Sequence, residues 1–189
     1  MTDTDARLAT AAHRHDGPLP ALARWWLRNR TTYEAGKGDE RPLTGYTLLA
    51  TGYTTAVLVA AAALAARRRS PELPARGDLA LLAVATSTLS RTIAKDAVTS
   101  PLRSPFTTFE EAGAPSEVNE SPRDGAVRHA VGELVSCPFC LAQWVATALV
   151  TSYAAAPQAT RWVATTFSLV GAADVLQHAY GLLQKASEA

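Results

Sequence analysis

The chain has 189 residues, a length that favours a single domain and leaves little room for a second. Its 18 lysine and arginine residues almost balance its 17 aspartate and glutamate residues, which gives a net charge of +1 at pH 7. Because acids match the bases and no basic stripe alternates with aromatic residues, the composition excludes a nucleic-acid-binding protein. Most charge lies in residues 1–44 and 91–128, and the rest is rich in alanine, valine and leucine.

Residues 1–44 are predicted to form a polar, partly disordered amino-terminal arm. The first 20 residues contain few large apolar side chains, so we expect disorder there. Tryptophan and arginine then occur together, at Arg24, Trp25, Trp26, Arg28 and Arg30. Such a segment can lie at a lipid headgroup surface, with its indole rings in the boundary and its cations toward anionic lipid. A short helix that packs its tryptophans on the protein fits the same residues, and the sequence leaves both interpretations open.

Residues 45–66 are the strongest candidate membrane span, because 22 residues without a charge can cross a hydrocarbon layer of about 30 Å. Tyr46 and Tyr53 lie toward one end of this segment, where a hydroxyl group can reach the headgroups. A long polar segment precedes it and the basic run 67–69 follows it, so we interpret it as a retained helix rather than a signal peptide.

Three further apolar segments, at 78–98, 140–156 and 160–183, extend the same pattern. We predict an all-α fold: a small membrane-embedded bundle of three to four hydrophobic helices within residues 45–185, with membrane lipid as its partner. These segments contain polar residues or much alanine, so a soluble helical scaffold is the alternative. The lysine and arginine distribution favours a multi-pass protein of the bacterial cytoplasmic (inner) membrane with both termini in the cytoplasm.

A polar loop at about 99–136 interrupts the apolar segments. Pro101 and Pro105 cannot donate to a helix ladder, and each biases the preceding serine toward extended geometry. The second apolar helix should therefore end near Val98 or Thr99.

A new helix is predicted to begin late in this loop, with Ser121 as its N-cap and Pro122 in its first position. On one side, His129 and Glu133 are four residues apart and can pair. The other side carries an apolar stripe: Val127, Ala130, Val131, Leu134 and Val135. The pattern predicts a short amphipathic helix just before the sequence CPFC at 137–140.

Charged residues cluster where the second apolar segment ends. Arg91 and Lys95 are four residues apart, so they share a helix face and require a nearby anion. The candidate anions are Asp96, Glu133, Asp174 and a lipid headgroup. Both cations can instead extend to the membrane surface along their alkyl stems. We hypothesise that the loop folds back and brings Arg91, Lys95 and Arg103 near Glu133 and CPFC, as a structural network or a site for an anionic ligand.

Cys137 and Cys140 form a CxxC motif, and Pro138 suits the first turn of a following helix. A thiolate at a helix start is favoured by the helix dipole, as in disulfide oxidoreductases, but no strand pattern of a thioredoxin-like fold surrounds the motif. Zinc needs four ligands, and one chain offers only the two cysteines and His129 nearby, so a symmetric dimer would have to pool two pairs. The remaining interpretation is a packing element at a helix start.

Asp174 and His178 are four residues apart and form a second polar pair, which we interpret as a contact between helices. No hydrolase, kinase, zinc-protease or dinucleotide fingerprint occurs in the chain. The sequence therefore indicates no enzyme activity, substrate or evident cofactor.

Two strings in order, SRTIAKDAVTSPLRSPF and GELVSCPFCLAQWVA, resemble the bacterial membrane-protein family defined by domain of unknown function 1360. The resemblance covers about residues 46–183 and leaves the amino-terminal arm outside. It implies a multi-span inner-membrane protein without an established activity, with some relatives linked to sporulating bacteria. The family pattern falls on Arg91, Lys95, Asp96, Pro101, Arg103, Pro105, Phe106, Glu133, Cys137, Pro138 and Cys140, of which Pro101, Pro105, Phe106 and Pro138 shape the loops.

Overall fold

The computed structural model describes residues 20–34, 41–67 and 73–187. Most of them are helical, as predicted. The helices are α1 (Ala21–Glu34), α2 (Leu43–Ala65), α3 (Arg76–Lys95), α4 (Ser100–Arg103), α5 (Ala126–Ser136), α6 (Pro138–Ala155) and α7 (Pro157–Ser187), and the strands are β1 (Thr107–Ala112) and β2 (Val118–Pro122). The predicted disorder of residues 1–19 and the basic residues 68 and 69 lie outside the described residues.

The chain divides into two units after Leu43. In the first, the tryptophan and arginine segment is helical as α1. The Arg30 guanidinium lies over the Trp26 ring, 5.7 Å from its centroid. Trp25 is 56% exposed, so its indole ring can contact a lipid or protein surface.

The core of the second unit lies between α3, α6 and α7. It consists of Leu82 and Ala85 from α3, Val145, Leu149 and Tyr153 from α6, and Ala164 from α7. Gly171 allows α7 to approach α3 closely, because a Cβ there would collide with the Thr88 hydroxyl. Small residues at the crossing thus permit the contact that the apolar side chains stabilise.

One end of this bundle is held by a carboxylate that the sequence did not single out. The Arg161 guanidinium donates to both oxygens of Asp78, at 2.9 and 2.8 Å. The Tyr153 hydroxyl donates to the same carboxylate at 2.6 Å. This cluster joins the starts of α3 and α7 to the end of α6 through charge-assisted hydrogen bonds.

The segment after α3 is more regular than predicted. A 3₁₀ turn, Ala97–Thr99, leads directly into α4, which has Pro101 in its first turn. The expectation of extended backbone at Ser100 and Ser104 is wrong, since both have helical dihedral angles. A proline in the first turn of a helix costs no hydrogen bond, and contacts of the surrounding segment override the bias it places on the preceding residue.

The polar loop contains an antiparallel hairpin that was not predicted. Strands β1 and β2 pair Thr107 with Pro122 and Phe109 with Glu120, with an irregularity after Phe109. The predicted helix start at Ser121 and Pro122 is wrong, because both residues lie in β2. Helix α5 begins at Ala126, after Gly125 has turned the chain with a φ of 104° that favours glycine.

The short helix before CPFC is confirmed as α5, and Ala130 and Gly132 on it are buried. Helix α6 follows after a bend of 81°. Helix α2 packs closely against α5 at Gly45, where a Cβ would collide with the Ala126 carbonyl and the Ala130 side chain. At the other end of α2, the Arg67 guanidinium donates to the Ala155 carbonyl at 2.9 Å and so satisfies an end group of α6.

Helix α2 is long and apolar enough to cross a membrane. Helices α5 and α6 together meet the same criterion of length and composition if they form one bent span. The described residues therefore contain one such helix, or two if the bent pair is a single span.

Candidate functional site

The Arg103 side chain is fully buried and forms the centre of the loop structure. Its Nε donates to Glu120 Oε2 at 2.9 Å and its Nη2 donates to Glu120 Oε1 at 3.0 Å. The guanidinium and the carboxylate are thus paired through two parallel hydrogen bonds, the geometry in which arginine binds carboxylates most strongly.

The same guanidinium also binds the end of α3. Nη1 donates to the Ile93 carbonyl at 2.7 Å, and Nη2 donates to the Asp96 carbonyl at 3.1 Å. The last carbonyls of a helix have no partner within it and carry its partial negative charge, so a cation is favourable there. Arg103 therefore joins the end of α3 to strand β2.

Glu120 receives further hydrogen bonds, from Thr107 Oγ1 at 2.7 Å and Ser100 Oγ at 3.1 Å. Burial by itself raises the pKa of its carboxyl group, but the hydrogen bonds from Arg103 and Thr107 outweigh burial and hold that pKa below its ordinary value. The carboxylate is thus held in its charged form beside the buried guanidinium.

Arg91 is paired with two acids from different parts of the chain. It lies 2.7 Å from Glu117 Oε1 at the hairpin tip and 3.2 Å from Asp174 Oδ2 on α7. Asp174 was among the predicted partners of Arg91, and this pair is confirmed. The pair is also the predicted contact between helices, here between α3 and α7. Glu117 was missed because only the hairpin brings it to α3, where the Ser116 carbonyl accepts from the Ala97 N–H at 2.8 Å.

Two adjoining cavities form a groove between α3 and α7, which we call the α3–α7 groove. The first has a volume of about 690 Å³ and extends to Asp96, Ser116 and Lys185. The second has a volume of about 720 Å³ and extends to Val84, Val175 and Ala179. Both are lined by Thr88, Arg91, Asp174, His178 and Leu182. Beyond these shared residues, the first cavity adds the charged side chains of Asp96 and Lys185, whereas the second adds mainly apolar residues, so the groove has a charged end and a more apolar end.

The structure brings together part of the predicted polar cluster. Arg103 is bound to Glu120, and Arg91 lies in the groove. Glu133 accepts a hydrogen bond from Tyr46, and its other oxygen lies 3.7 Å from His129 Nε2, which confirms the predicted pair of residues 129 and 133. Arg91 and Lys95 line a smaller cavity of about 480 Å³ with Glu117 and with Pro138 and Phe139 of CPFC, so two of the three predicted cations lie beside the CPFC turn.

His178 contacts Asp174 through the backbone. Its Nδ1 lies 2.8 Å from the Asp174 carbonyl oxygen, while the Asp174 carboxylate faces Arg91. The imidazole is exposed at the groove and available to a ligand there.

The two cysteines are free thiols at the start of α6. Pro138 lies in the first turn of α6, as predicted, and Cys137 is the N-cap, whose Sγ accepts from the Cys140 N–H at 3.3 Å. Among the described residues, no group of three or more histidine, cysteine, aspartate or glutamate side chains could hold a metal ion. Thiol redox chemistry, and zinc shared by a dimer, stay predictions.

The Arg103–Glu120 pair predicts a specific dependence of stability on pH. Because the folded state lowers the pKa of Glu120 from its ordinary value of 4.5, ionised Glu120 stabilises the fold at neutral pH. This contribution is lost as the pH falls below that ordinary value and through the folded-state pKa. Glu120→Gln should lower the free energy of unfolding at neutral pH by about 3–5 kcal/mol, since it leaves the buried guanidinium without a counter-charge. It should also reduce the loss of stability between neutral and acidic pH.

Thermal unfolding of the wild type and the variant across this pH range in one detergent measures both effects. Glu110→Gln, which removes an exposed carboxylate of β1, is the matched control and should behave as the wild type. Equal acid sensitivity of Glu120→Gln and the wild type would contradict the assignment.

Comparison with known proteins places these elements in a family. The chain is similar to the sporulation protein YjcA of Bacillus subtilis (strain 168), with 31% identity over 102 residues that cover 52% of this chain and 86% of that protein. No solved structure matches the chain. Residues 81–180, from α3 to α7, match the family described as Protein of unknown function (DUF1360). They include Arg103, Glu120 and CPFC and make up more than half of the chain, which therefore belongs to this family.

Proposed function

We propose that the protein is an integral, multi-span protein of the bacterial cytoplasmic membrane, and that its α3–α7 groove binds a phosphate-containing membrane amphiphile. The observation that carries the proposal is the change from charged to apolar lining along one continuous groove. An amphiphile has the same division, and it can place its headgroup and its chains in the two ends at once.

The first support for membrane integration comes from helix α2. Its 23 residues extend about 35 Å, enough to cross a hydrocarbon layer of about 30 Å. Gly45 is its only buried residue, whereas Leu58 and Val59 are 64% and 63% exposed. A long helix that exposes large apolar side chains along its length is unfavourable in water and favourable in lipid.

Helix α7 also exposes apolar side chains along its length, and its charged residues Arg161 and Asp174 are paired. Exposed apolar side chains follow one another along it: Trp162, Val163, Leu169, Val170, Val175, Leu176, Leu182 and Leu183. Arg161 is paired with Asp78, and Asp174 with Arg91. Because paired charges between helices are the form in which ionisable residues occur within membranes, α3, α6 and α7 complete the proposed bundle.

The charge of the groove favours a headgroup over a free, multiply charged anion. Arg91 and Lys185 are offset by Asp96 and Asp174, and His178 adds a neutral or cationic donor. A phosphate group would bind Lys185 and the Arg91 N–H groups that Glu117 and Asp174 leave unoccupied, and hydroxyl or ammonium groups of the same headgroup would bind the carboxylates of Asp96 and Asp174. The apolar end beside Val84 and Val175 would hold the first part of the chains.

Membrane integration is tested by fractionation. The full chain should stay in the membrane pellet after alkaline carbonate extraction and enter solution only with detergent, because its apolar helices would otherwise be exposed to water. Recovery in the supernatant of an ultracentrifuged lysate without detergent would contradict the proposal.

Headgroup binding is tested by native mass spectrometry in a neutral maltoside detergent. The wild type should retain phospholipid, and Lys185→Gln should weaken retention by about 1 kcal/mol, roughly fivefold in affinity, through loss of one cation. Arg76→Gln removes an exposed arginine at the opposite end of α3 and is the matched control. Equal retention by the two variants would contradict headgroup binding in the groove.

A further inference from the structure

A separate cavity of about 380 Å³ lies between α2, α5 and α6, away from the α3–α7 groove. Its volume is within the range of about 300–1,000 Å³ that small-molecule sites occupy. Three aromatic residues, Tyr46, Tyr53 and Trp144, line it together with the carboxylate of Glu133. These residues come from three helices, so the fold and not a local motif creates the cavity.

The aromatic rings form fixed walls. Tyr53 and Trp144 meet edge to face, with centroids 5.1 Å apart and ring planes inclined by 68°. The Tyr53 hydroxyl lies 2.8 Å from Thr147 Oγ1 on α6, which fixes this ring across the boundary between α2 and α6. Two steeply inclined rings that line one small volume resemble two walls of an aromatic cage.

The carboxylate of Glu133 is oriented by neighbouring side chains, and His129 Nε2 lies 3.7 Å from one of its oxygens. The Tyr46 hydroxyl donates to one oxygen of Glu133, and a tyrosine that donates a hydrogen bond is neutral. The same residue therefore supplies one aromatic wall and orients the carboxylate. Trp144 lies one turn after Cys140, which also lines the cavity.

We propose that this cavity, which we call the aromatic cavity, binds an organic ammonium ion. Alkyl groups on the nitrogen would contact the ring faces of Tyr53 and Trp144, where the aromatic quadrupole attracts positive charge. Glu133, which also contacts Tyr46 and His129, would supply negative charge beside the ammonium group. A metal ion is a poor occupant, since Glu133 is the one carboxylate among the residues that line the cavity.

An ammonium ion of this class can come from the headgroup of a lipid or from a soluble compound, and the chemistry of recognition is the same. The alternative occupant is a lipid chain lying against α2. A chain would contact the aromatic walls equally well, but it would be indifferent to the charge of Glu133.

The test is calorimetric titration of the purified full chain with choline in a neutral maltoside detergent. The neutral carbon isostere 3,3-dimethyl-1-butanol has nearly the same shape and no charge, so it should bind roughly tenfold more weakly or not at all. Equal binding of choline and the isostere to the wild type would overturn the proposal, whatever the variants do.

Two variants locate the site, each with a matched control. Glu133→Gln keeps an acceptor for Tyr46 and removes the charge, and Trp144→Leu removes one wall; each should weaken choline binding roughly tenfold. Glu110→Gln and Trp162→Leu remove an exposed carboxylate and an exposed indole elsewhere and should bind as the wild type. Unchanged affinity of Glu133→Gln, with an unchanged melting temperature, would overturn the proposal.

Nanodiscs separate the two sources of the ion. If lipid headgroups enter the cavity, the affinity for added choline should be lower in phosphatidylcholine nanodiscs than in phosphatidylglycerol nanodiscs. Equal affinity in both assigns the cavity to a soluble ammonium ion.

Discussion

The need to satisfy one buried guanidinium organises the end of the bundle at which the polar loop lies. Arg103 is fully buried, and its donors are taken up by Glu120, by the final carbonyls of α3 and by Thr99 and Ser100. A buried charge without such partners would cost several kcal/mol, so the hairpin must be in place for the helix end to fold as it does. The hairpin in turn places Glu117 against Arg91 and Ser116 beside the groove. The shape of the groove thus depends on a residue that does not line it.

Polar clusters at both ends and an apolar core between them make up the second unit. Asp78, Tyr153 and Arg161 meet at one end, and Arg91, Arg103 and their acids lie toward the other. From Asp78 to Lys95, α3 rises about 25 Å, close to the thickness of a hydrocarbon layer. In a membrane this arrangement would keep the charges near the two surfaces or paired within the protein, which is consistent with the apolar side chains that α2 and α7 expose.

Local signals in the sequence were sufficient to predict the long helices and some of the residues at which they begin or end. The uncharged run at 45–66 predicted α2, and the order of Cys137 and Pro138 predicted the start of α6. Asp174 was a correct partner for Arg91 because it is an isolated acid in an apolar helix. The candidate site was recovered only in part, since Glu117 and Glu120 looked like ordinary acids of a polar loop. Their roles depend on strand pairing between residues that are far apart in sequence, which periodicity cannot show. The same pairing, with the turn at Gly125, displaced the expected helix start at Ser121.

Hydrogen exchange measured by mass spectrometry on Arg103→Lys tests most directly whether this arginine organises the loop. Lysine keeps the charge but cannot pair with Glu120 through two parallel bonds while it also binds the Ile93 and Asp96 carbonyls. We expect amides of residues 107–122 to exchange faster than in the wild type, and amides near the Asp78 and Arg161 cluster to keep their protection. Unchanged protection of the hairpin would contradict the central role of Arg103.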